Sequence, residues 1–152
     1  KLDLAKELVG QAKKRNVELL LPVDVVVADR FDNDAHFKNV DAKAIPDDWQ
    51  GMDIGEKTAA KYAEIIKKAA TVVWNGPLGV FEMENFSKGT FAVAKAIAES
   101  KAVSIIGGGD SASAVKQMGF ADKITHISTG GGASLEYLEG KTLPGIDCLD
   151  EK

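Results

Sequence analysis

Residues 71–134 contain three apolar runs that each end in a glycine-rich turn: TVVWNGPLG at 71–79, AVSIIGGGDS at 102–111 and KITHISTGGGAS at 123–134. Short apolar runs rich in β-branched residues are typical of strands buried on both faces, as in a parallel sheet. They predict strands at 71–74, 102–106 and 123–128. Helical spacing of apolar residues predicts helices at 58–70, 87–100, 111–118 and 133–138. This alternation predicts an α/β domain with a mostly parallel sheet and right-handed crossovers.

The first third of the chain is less regular. Apolar residues at helical spacing predict a helix over 2–15, and two apolar runs predict strands at 17–21 and 23–28, both buried as in a parallel sheet. Residues 29–53 are polar and contain no clear period, so we expect a long excursion with one further short strand. A loop of that length indicates a functional role.

The composition describes one domain. The 152 residues carry 19 basic and 23 acidic side chains, a net charge of −4, with 45% hydrophobic and 28% charged residues. These fractions argue against disorder, collagen and coiled coil. Mild acidity and the lack of an apolar run of about 18 residues argue against nucleic-acid and membrane partners. With a single cysteine, Cys148, we expect a cytoplasmic protein.

The glycine-rich turns indicate a phosphate ligand. The carboxyl ends of parallel strands lie along one edge of a sheet, so the three turns should line one crevice, where open α/β sheets bind ligands. A glycine-rich turn before a helix offers bare backbone N–H groups at the positive end of the helix, which hold phosphate without a cationic side chain. The alternative is that the glycines only make tight turns.

Two familiar nucleotide motifs fit poorly. Gly107, Gly109 and Ala112 match the dinucleotide fingerprint of dehydrogenases, but no acidic residue follows about twenty positions later to bind the ribose. A phosphate-binding loop of the Walker type also fails, because Glu56 interrupts Gly55 and Lys57. A dehydrogenase therefore stays only as a weak alternative.

Two acidic residues are candidates for ligand contacts. Asp110 beside phosphate-binding amides would be repulsive unless a cation lay between them, so it is a candidate Mg²⁺ ligand. The alternative for Asp110 is an N-cap of the following helix, for which Ser111 competes. Glu82 follows the first glycine-rich turn and could accept hydrogen bonds from sugar hydroxyls, or it could be a solvated surface charge.

The motifs WNGPLGVFE at 74–82, GGGDS at 107–111 and STGGGASLE at 128–136, with LPG at 143–145, resemble the C-terminal domain of phosphoglycerate kinases. PVD at 22–24 and DIG at 53–55 extend the resemblance over essentially the whole chain. It implies a three-layer, Rossmann-like nucleotide-binding domain. The family transfers a phosphoryl group reversibly between bisphosphoglycerate and MgADP, giving ATP and 3-phosphoglycerate in glycolysis, so it implies a phosphotransferase with a carboxyl-group acceptor.

The resemblance also implies site residues. Gly51 and Met52 with Pro77 would wall the adenine pocket, and Glu82 would bind the ribose hydroxyls. The nucleotide phosphates would lie against Asn75 and the segment formed by Gly107, Gly108, Gly109, Asp110 and Ser111, with Asp110 serving Mg²⁺. The N–H groups at Gly109, Gly131 and Gly132 would face the transferred phosphoryl group and act catalytically. One departure is Glu56, which replaces the proline that usually follows Asp-Ile-Gly in this family.

The same resemblance implies that residues 1–152 are part of a nucleotide-binding domain, truncated at its N-terminal side, and that the substrate-binding N-terminal domain, which holds the phosphoglycerate, is absent. We expect the intact enzyme to be a monomer and this chain alone to be inactive. A sheet that lacks strands exposes an apolar edge, so we also expect the isolated chain to self-associate. The alternative function is a non-catalytic nucleotide-binding module that complements a partner chain.

Overall fold

The computed structural model describes residues 1–150, which form six helices and six strands with two short 3-10 helices. In chain order these are α1 (Leu2–Lys14), β1 (Asp24–Ala28), β2 (Phe37–Asp41), β3 (Gln50–Ile54), α2 (Glu56–Lys68), β4 (Thr71–Asn75), α3 (Lys88–Glu99), β5 (Val103–Gly107), α4 (Gly109–Gln117), β6 (His126–Ser128), α5 (Gly131–Leu138) and α6 (Pro144–Asp147). The 3-10 helices are Glu84–Phe86 and Ala121–Lys123. None of the helices among these residues is long and apolar enough to cross a bilayer.

The second half of the chain forms the predicted parallel sheet, with strand order β4-β5-β6. Alternate side chains point to opposite faces of a strand, and one face carries Trp74 on β4, Ile106 on β5 and Ile127 on β6. These pack against α2, α3 and α4 in the main core, where Ile97 and Val115 are also buried. The predicted α/β class is confirmed.

The first half forms a second sheet, and it is antiparallel, with order β2-β1-β3. The prediction that the strand at 23–28 belongs to a parallel sheet is therefore wrong. Its continuous apolar run has another cause, because Val25 and Val26 point to opposite faces and each borders a different cleft. The polar excursion at 29–53 contains two strands, β2 and β3, rather than the single strand expected.

The predicted strand at 17–21 does not form. Its residues Val17, Leu19 and Leu21 are exposed, and one hydrogen bond, from the Tyr62 hydroxyl to the carbonyl of Leu20 at 3.1 Å, ties it to α2. A strand is stabilised by pairing with a neighbour, and the apolar pattern of a segment does not reveal whether that neighbour is present. The helix α1 agrees with its prediction, but no residue of it is buried.

The other face of the parallel sheet is largely open. It carries Val73 and Val103, which are 42% and 50% exposed, and Ile105 beside them. Among residues 1–150, α5 and α6 cover part of this face and leave a cavity of about 440 Å³ that Tyr137 and Leu138 also line. We call these five residues the open face. Parallel sheets are normally covered on both sides, so we expect association at the open face and at the outer edge of β4, which has no strand partner among residues 1–150.

The buried aspartate Asp24 attaches the antiparallel sheet to α2. Asp24 of β1 accepts hydrogen bonds at the start of α2 from the amide and the hydroxyl of Thr58, at 2.8 and 2.6 Å, and from the amide of Lys57 at 3.1 Å. The N-cap of α2 is Gly55, which has no side chain to do this. Asn39 adds a fourth donor at 2.9 Å.

Glu56 occupies the first position of α2, where an acidic residue suits the helix dipole and a proline would also fit.

The open face leads to a prediction about association. We expect the wild-type chain to form concentration-dependent oligomers at micromolar concentrations, and Val73→Lys to shift it toward monomer because a charge there opposes burial of the open face. Light scattering after size exclusion measures both. Phe31→Lys is the matched control, since Phe31 is 62% exposed on the loop after β1, away from the open face. A monodisperse wild-type monomer would contradict the prediction.

The Asp24 network leads to a prediction about acid stability. Burial alone would raise the pKa of Asp24, but the four hydrogen bonds outweigh it and lower the pKa from 3.8 to about 2. Because the folded-state pKa lies below the unfolded one, the carboxylate stabilises the fold fully above about pH 4, and that contribution is lost as the pH falls toward about 2. Asp24→Asn should therefore lower the free energy of unfolding by about 2 kcal/mol at neutral pH and by about half as much near pH 3.

Urea unfolding of both proteins at the two pH values measures this difference. Asp47→Asn, at an exposed acidic residue, is the control and should change stability little at either pH. A destabilisation by Asp24→Asn that is the same at both pH values would contradict the assignment.

Candidate nucleotide-binding site

The three glycine-rich turns meet at the carboxyl edge of the parallel sheet, as predicted. The amide of Gly76, after β4, donates to the hydroxyl of Ser111 in α4 at 2.7 Å. The amide of Gly108, after β5, donates to the carbonyl of Ser128 at the end of β6, at 3.1 Å. Hydrogen bonds thus join each turn to the next, and the edge is one continuous surface.

Glycine is needed in two of these turns, at Gly108 because of its backbone conformation and at Gly131 because of close packing. Gly108 has φ +92°, a conformation that other residues adopt only with strain. A Cβ atom added to Gly131 would lie 2.8 Å from the Cα of Gly108 and 2.9 Å from Oδ1 of Asn75. The start of α5 therefore lies directly on the turn after β5, with Asn75 beside both.

Two helices begin at this edge and offer backbone donors. The first internal bonds run from Ala112 to Gly108 in α4 and from Ser134 to Gly130 in α5. The amides that precede them in each helix have no acceptor within the helix. Gly109, Asp110 and Gly132 are exposed, so an anion can reach both helix starts.

Asp110 and Ser111 occupy different environments. Asp110 is exposed in the first turn of α4. The N-cap of α4 is Gly108 and no side chain caps this helix, so the N-cap alternative for Asp110 or Ser111 is wrong. Ser111 is fully buried with its hydroxyl accepting from Gly76, so its side chain joins two turns. Its predicted contact with the nucleotide stays a prediction.

The residues predicted to hold adenine lie together. Gly51, Met52 and Pro77 line a cleft of about 400 Å³ between β3 and the turn after β4. We call it the β3 cleft. The remaining lining residues are mostly apolar, with one carboxylate among them: Pro22, Val25, Asp53, Ile54, Leu78, Gly79 and Val80. An apolar cleft beside phosphate-binding backbone suits a flat base attached to a phosphate chain.

Glu82 does not line the β3 cleft. It is exposed and borders a neighbouring depression with Phe81, Lys88 and Phe91. Its predicted role at the ribose stays a prediction.

The turn from Pro77 to Val80 is held by residues that the sequence analysis did not assign. Thr90, fully buried in the first turn of α3, accepts hydrogen bonds from the amides of Leu78 and Gly79 at 3.1 and 3.3 Å. The amide of Val80 donates to the carbonyl of Met52 at 2.9 Å and ties the turn to β3. No sequence signal separates Thr90 from other helical threonines, since its role depends on contacts eleven and twelve residues away.

Asp53 is the second residue of this region to which the sequence analysis gave no role. It is 5% exposed, and its carboxylate accepts from the amides of Gly89 at 2.7 Å and Ile54 at 2.8 Å. Burial raises the pKa of Asp53 from 3.8 to about 6, against the opposing effect of the Gly89 and Ile54 amides. The Asp-Ile-Gly motif marked this position but did not indicate what the carboxylate contacts.

Comparison with known proteins agrees with this geometry. The family model "Phosphoglycerate kinase" matches residues 1–141. The chain belongs to the phosphoglycerate kinase family. Phosphoglycerate kinases of Clostridium kluyveri and Clostridium botulinum are 60% and 58% identical over all 152 residues. In each case the chain spans 38% of the relative's length.

Two solved phosphoglycerate kinases have the same fold. The structure from Coxiella burnetii matches with a TM-score of 0.91 and 46% identity, over 96% of this chain and 38% of that one. The structure from Pyrococcus horikoshii matches with a TM-score of 0.81 and 41% identity, over 96% and 36%. The resemblance to phosphoglycerate kinases is therefore confirmed, and the dehydrogenase alternative is wrong.

The close packing of Gly131 can be tested by comparing alanine substitutions at Gly131 and Gly132. We expect Gly131→Ala to destabilise the chain by about 1–3 kcal/mol, because the new methyl group would collide with the backbone of Gly108. Gly132→Ala is the matched control in the same helix, since nothing lies within 4 Å of its added Cβ. It should change stability by less than about 1 kcal/mol. Thermal unfolding of both variants measures the difference, and equal effects would rule out close packing at Gly131.

Proposed function

We propose that this chain is the nucleotide-binding part of a phosphoglycerate kinase and that it binds ADP or ATP with Mg²⁺. The observation that carries the proposal is the meeting of three glycine-rich turns at one sheet edge, close to the apolar β3 cleft. The cleft takes the adenine between Gly51, Met52 and Pro77, and the turn from Gly107 to Ser111 takes the phosphates. Backbone N–H groups at helix starts bind phosphate in this way in many nucleotide sites.

Magnesium fits Asp110. An exposed carboxylate in the first turn of α4 is a hard oxygen ligand next to the phosphate-binding amides. Mg²⁺ is usually held by one or two carboxylates together with substrate phosphates and water, so a single protein ligand is sufficient. The ion would neutralise charge on the nucleotide phosphates.

In the whole enzyme the reaction is phosphoryl transfer from the acyl phosphate of bisphosphoglycerate to ADP. The donor's phosphorus–oxygen bond to the carboxyl group breaks as a new bond to the terminal ADP oxygen forms, giving ATP and 3-phosphoglycerate. Amides at Gly109, Gly131 and Gly132 stabilise the charge on the phosphoryl group in transit. We place this step in the cytoplasm, in a monomeric enzyme without nucleic-acid or membrane partners.

The chain alone is inactive under this proposal. It contains two arginines, Arg15 and Arg30, and Arg30 is paired with Asp29 and Asp32 outside the site. Arginine is the residue best suited to hold phosphoglycerate by bidentate contacts. The bisphosphoglycerate is therefore bound by other parts of the enzyme, and without it the reacting groups are not brought together.

A second candidate function is a non-catalytic module that complements a partner chain. The exposed apolar residues of α1 favour it, because an amphipathic helix with no buried residue lacks its packing partner. Mixing the chain with a separately made phosphoglycerate kinase N-terminal piece distinguishes the two. Activity that appears only on mixing supports an enzyme part, whereas nucleotide binding without activity on mixing supports the module.

The magnesium assignment predicts a specific loss. Asp110→Asn should weaken MgADP binding by about tenfold and leave binding of ADP without Mg²⁺ almost unchanged, because the amide is a poor ligand for this ion. Asp122→Asn, at an exposed acidic residue in the second 3-10 helix, is the control and should change neither affinity. NMR titration with and without Mg²⁺ measures both. Equal weakening of ADP binding in the two conditions would exclude Asp110 as the metal ligand.

A further inference from the structure

The carboxylate of Asp53 lies where three structural elements meet. It sits on β3, one residue after Met52 in the β3 cleft, and it accepts the amide of Gly89 in the first turn of α3 at 2.7 Å. The N-cap residue of α3, Ser87, makes no side-chain cap bond, since its hydroxyl donates to the carbonyl of Glu84. Asp53 therefore caps α3 from a neighbouring strand.

Both glycines next to Asp53 pack on its carboxylate. A Cβ atom added to Gly79 or to Gly89 would fall on the carboxylate of Asp53. The carboxylate thus occupies the space that a side chain would take at either position. The turn after β4 and the start of α3 lie directly against it, so its position determines theirs.

These contacts connect the two walls of the β3 cleft. One wall is β3 with Gly51 and Met52, and the other is the turn that begins at Pro77. The turn packs on Asp53 through Gly79, and α3 holds the turn through the Thr90 hydroxyl. Moving the Asp53 carboxylate would therefore change the separation of the walls.

A second cavity reaches Asp53 from another side. It has a volume of about 550 Å³ and lies between the antiparallel sheet, α2 and α3, and its lining residues include four alanines. The charged residues that border it with Asp53 are Lys38 on β2, Glu56 on α2 and Lys88 on α3, all exposed. The turn residues from Pro77 to Val80 carry no charge. Asp53 is thus buried close to solvent, where a proton can reach it.

We propose that Asp53 is a positioning residue for the nucleotide: its ionised carboxylate sets the width of the β3 cleft by holding the turn at Gly79 and the start of α3 against β3. The inference rests on the proposed function, because it assigns the β3 cleft to the adenine base. It adds a buried residue at the edge of the β3 cleft that acts through Gly79 and Gly89.

The inference predicts a dependence of base binding on pH. A protonated Asp53 loses acceptor capacity toward the amides of Gly89 and Ile54, so the cleft should bind the base less well below the pKa of about 6. Adenosine is the suitable probe, because it has no phosphate and no group that titrates between about pH 5 and about pH 8. Wild-type affinity for adenosine should fall by up to about tenfold as the pH is lowered through this range.

The decisive variant is Asp53→Asn, which removes the charge and one acceptor without changing the shape. We expect it to weaken adenosine binding by about tenfold near pH 8 and to abolish the pH dependence. The matched control is Asp24→Asn, which removes the equivalent buried carboxylate at the start of α2, outside the cleft lining. It should lower stability but leave both adenosine affinity and its pH dependence unchanged.

NMR titrations of the 152-residue chain at about pH 5 and about pH 8 give the adenosine affinities. Thermal unfolding shows that each variant is folded under the same conditions. Equal adenosine affinity in Asp53→Asn and wild type would overturn the positioning role and leave the proposed function intact. If Asp53→Asn does not fold, the wild-type profile decides, and a flat profile overturns the inference. A wild-type chain that binds neither adenosine nor MgADP would instead overturn the proposed function.

Discussion

Buried carboxylates at helix starts hold the two sheets of this chain together. Asp24 on β1 accepts the first amides of α2, and Asp53 on β3 accepts an amide in the first turn of α3. The two helices pack against each other and cover the core face of the parallel sheet. The antiparallel sheet is thus attached through its acidic residues to the helices that organise the other sheet. The β3 cleft lies beside Asp53, so its shape depends on the Asp53 contact.

The two carboxylates have pKa shifts of opposite sign, which reflect the balance between burial and hydrogen bonds at each. Both are buried, and burial alone disfavours the ionised form in each. Asp24 receives four hydrogen bonds, and its pKa falls to about 2, whereas Asp53 receives two and its pKa rises to about 6. Ionised Asp24 therefore stabilises the fold at neutral pH. Asp53 favours the fold most when protonated, below about pH 4, and that contribution is lost as the pH rises through about 6.

The sequence predicted the features that depend on local pattern. The strands β4 and β5 and the three glycine-rich turns were predicted correctly, because an apolar run followed by glycines indicates a buried strand and a tight turn. The third strand is shorter than predicted: of residues 123–128 only His126–Ser128 form β6, and Lys123 ends a 3-10 helix. Gly51, Met52 and Pro77 were placed together only through the family resemblance, since no periodicity connects β3 with a turn some 25 residues away.

The errors concern pairing, which is not local. The segment at 17–21 has the composition of a strand but no partner among residues 1–150, and β1 is antiparallel although its apolar run favoured a parallel sheet. Thr90 and Asp53 were missed for the same reason, because their importance lies in hydrogen bonds to residues 11 to 36 positions away. Neither a hydrophobic pattern nor a motif contains that information.

Ligand recognition and stability depend on different parts of the chain. The β3 cleft and the glycine-rich turns rest on buried contacts around Asp53, Thr90 and Ser111. In contrast, α1 has no buried residue and the open face is uncovered. Ligand recognition therefore depends on the part that is already packed, while the exposed apolar surfaces limit stability and favour association. Covering those surfaces would stabilise the chain without changing the backbone geometry at the starts of α4 and α5, because none of the open-face residues supplies the amides there.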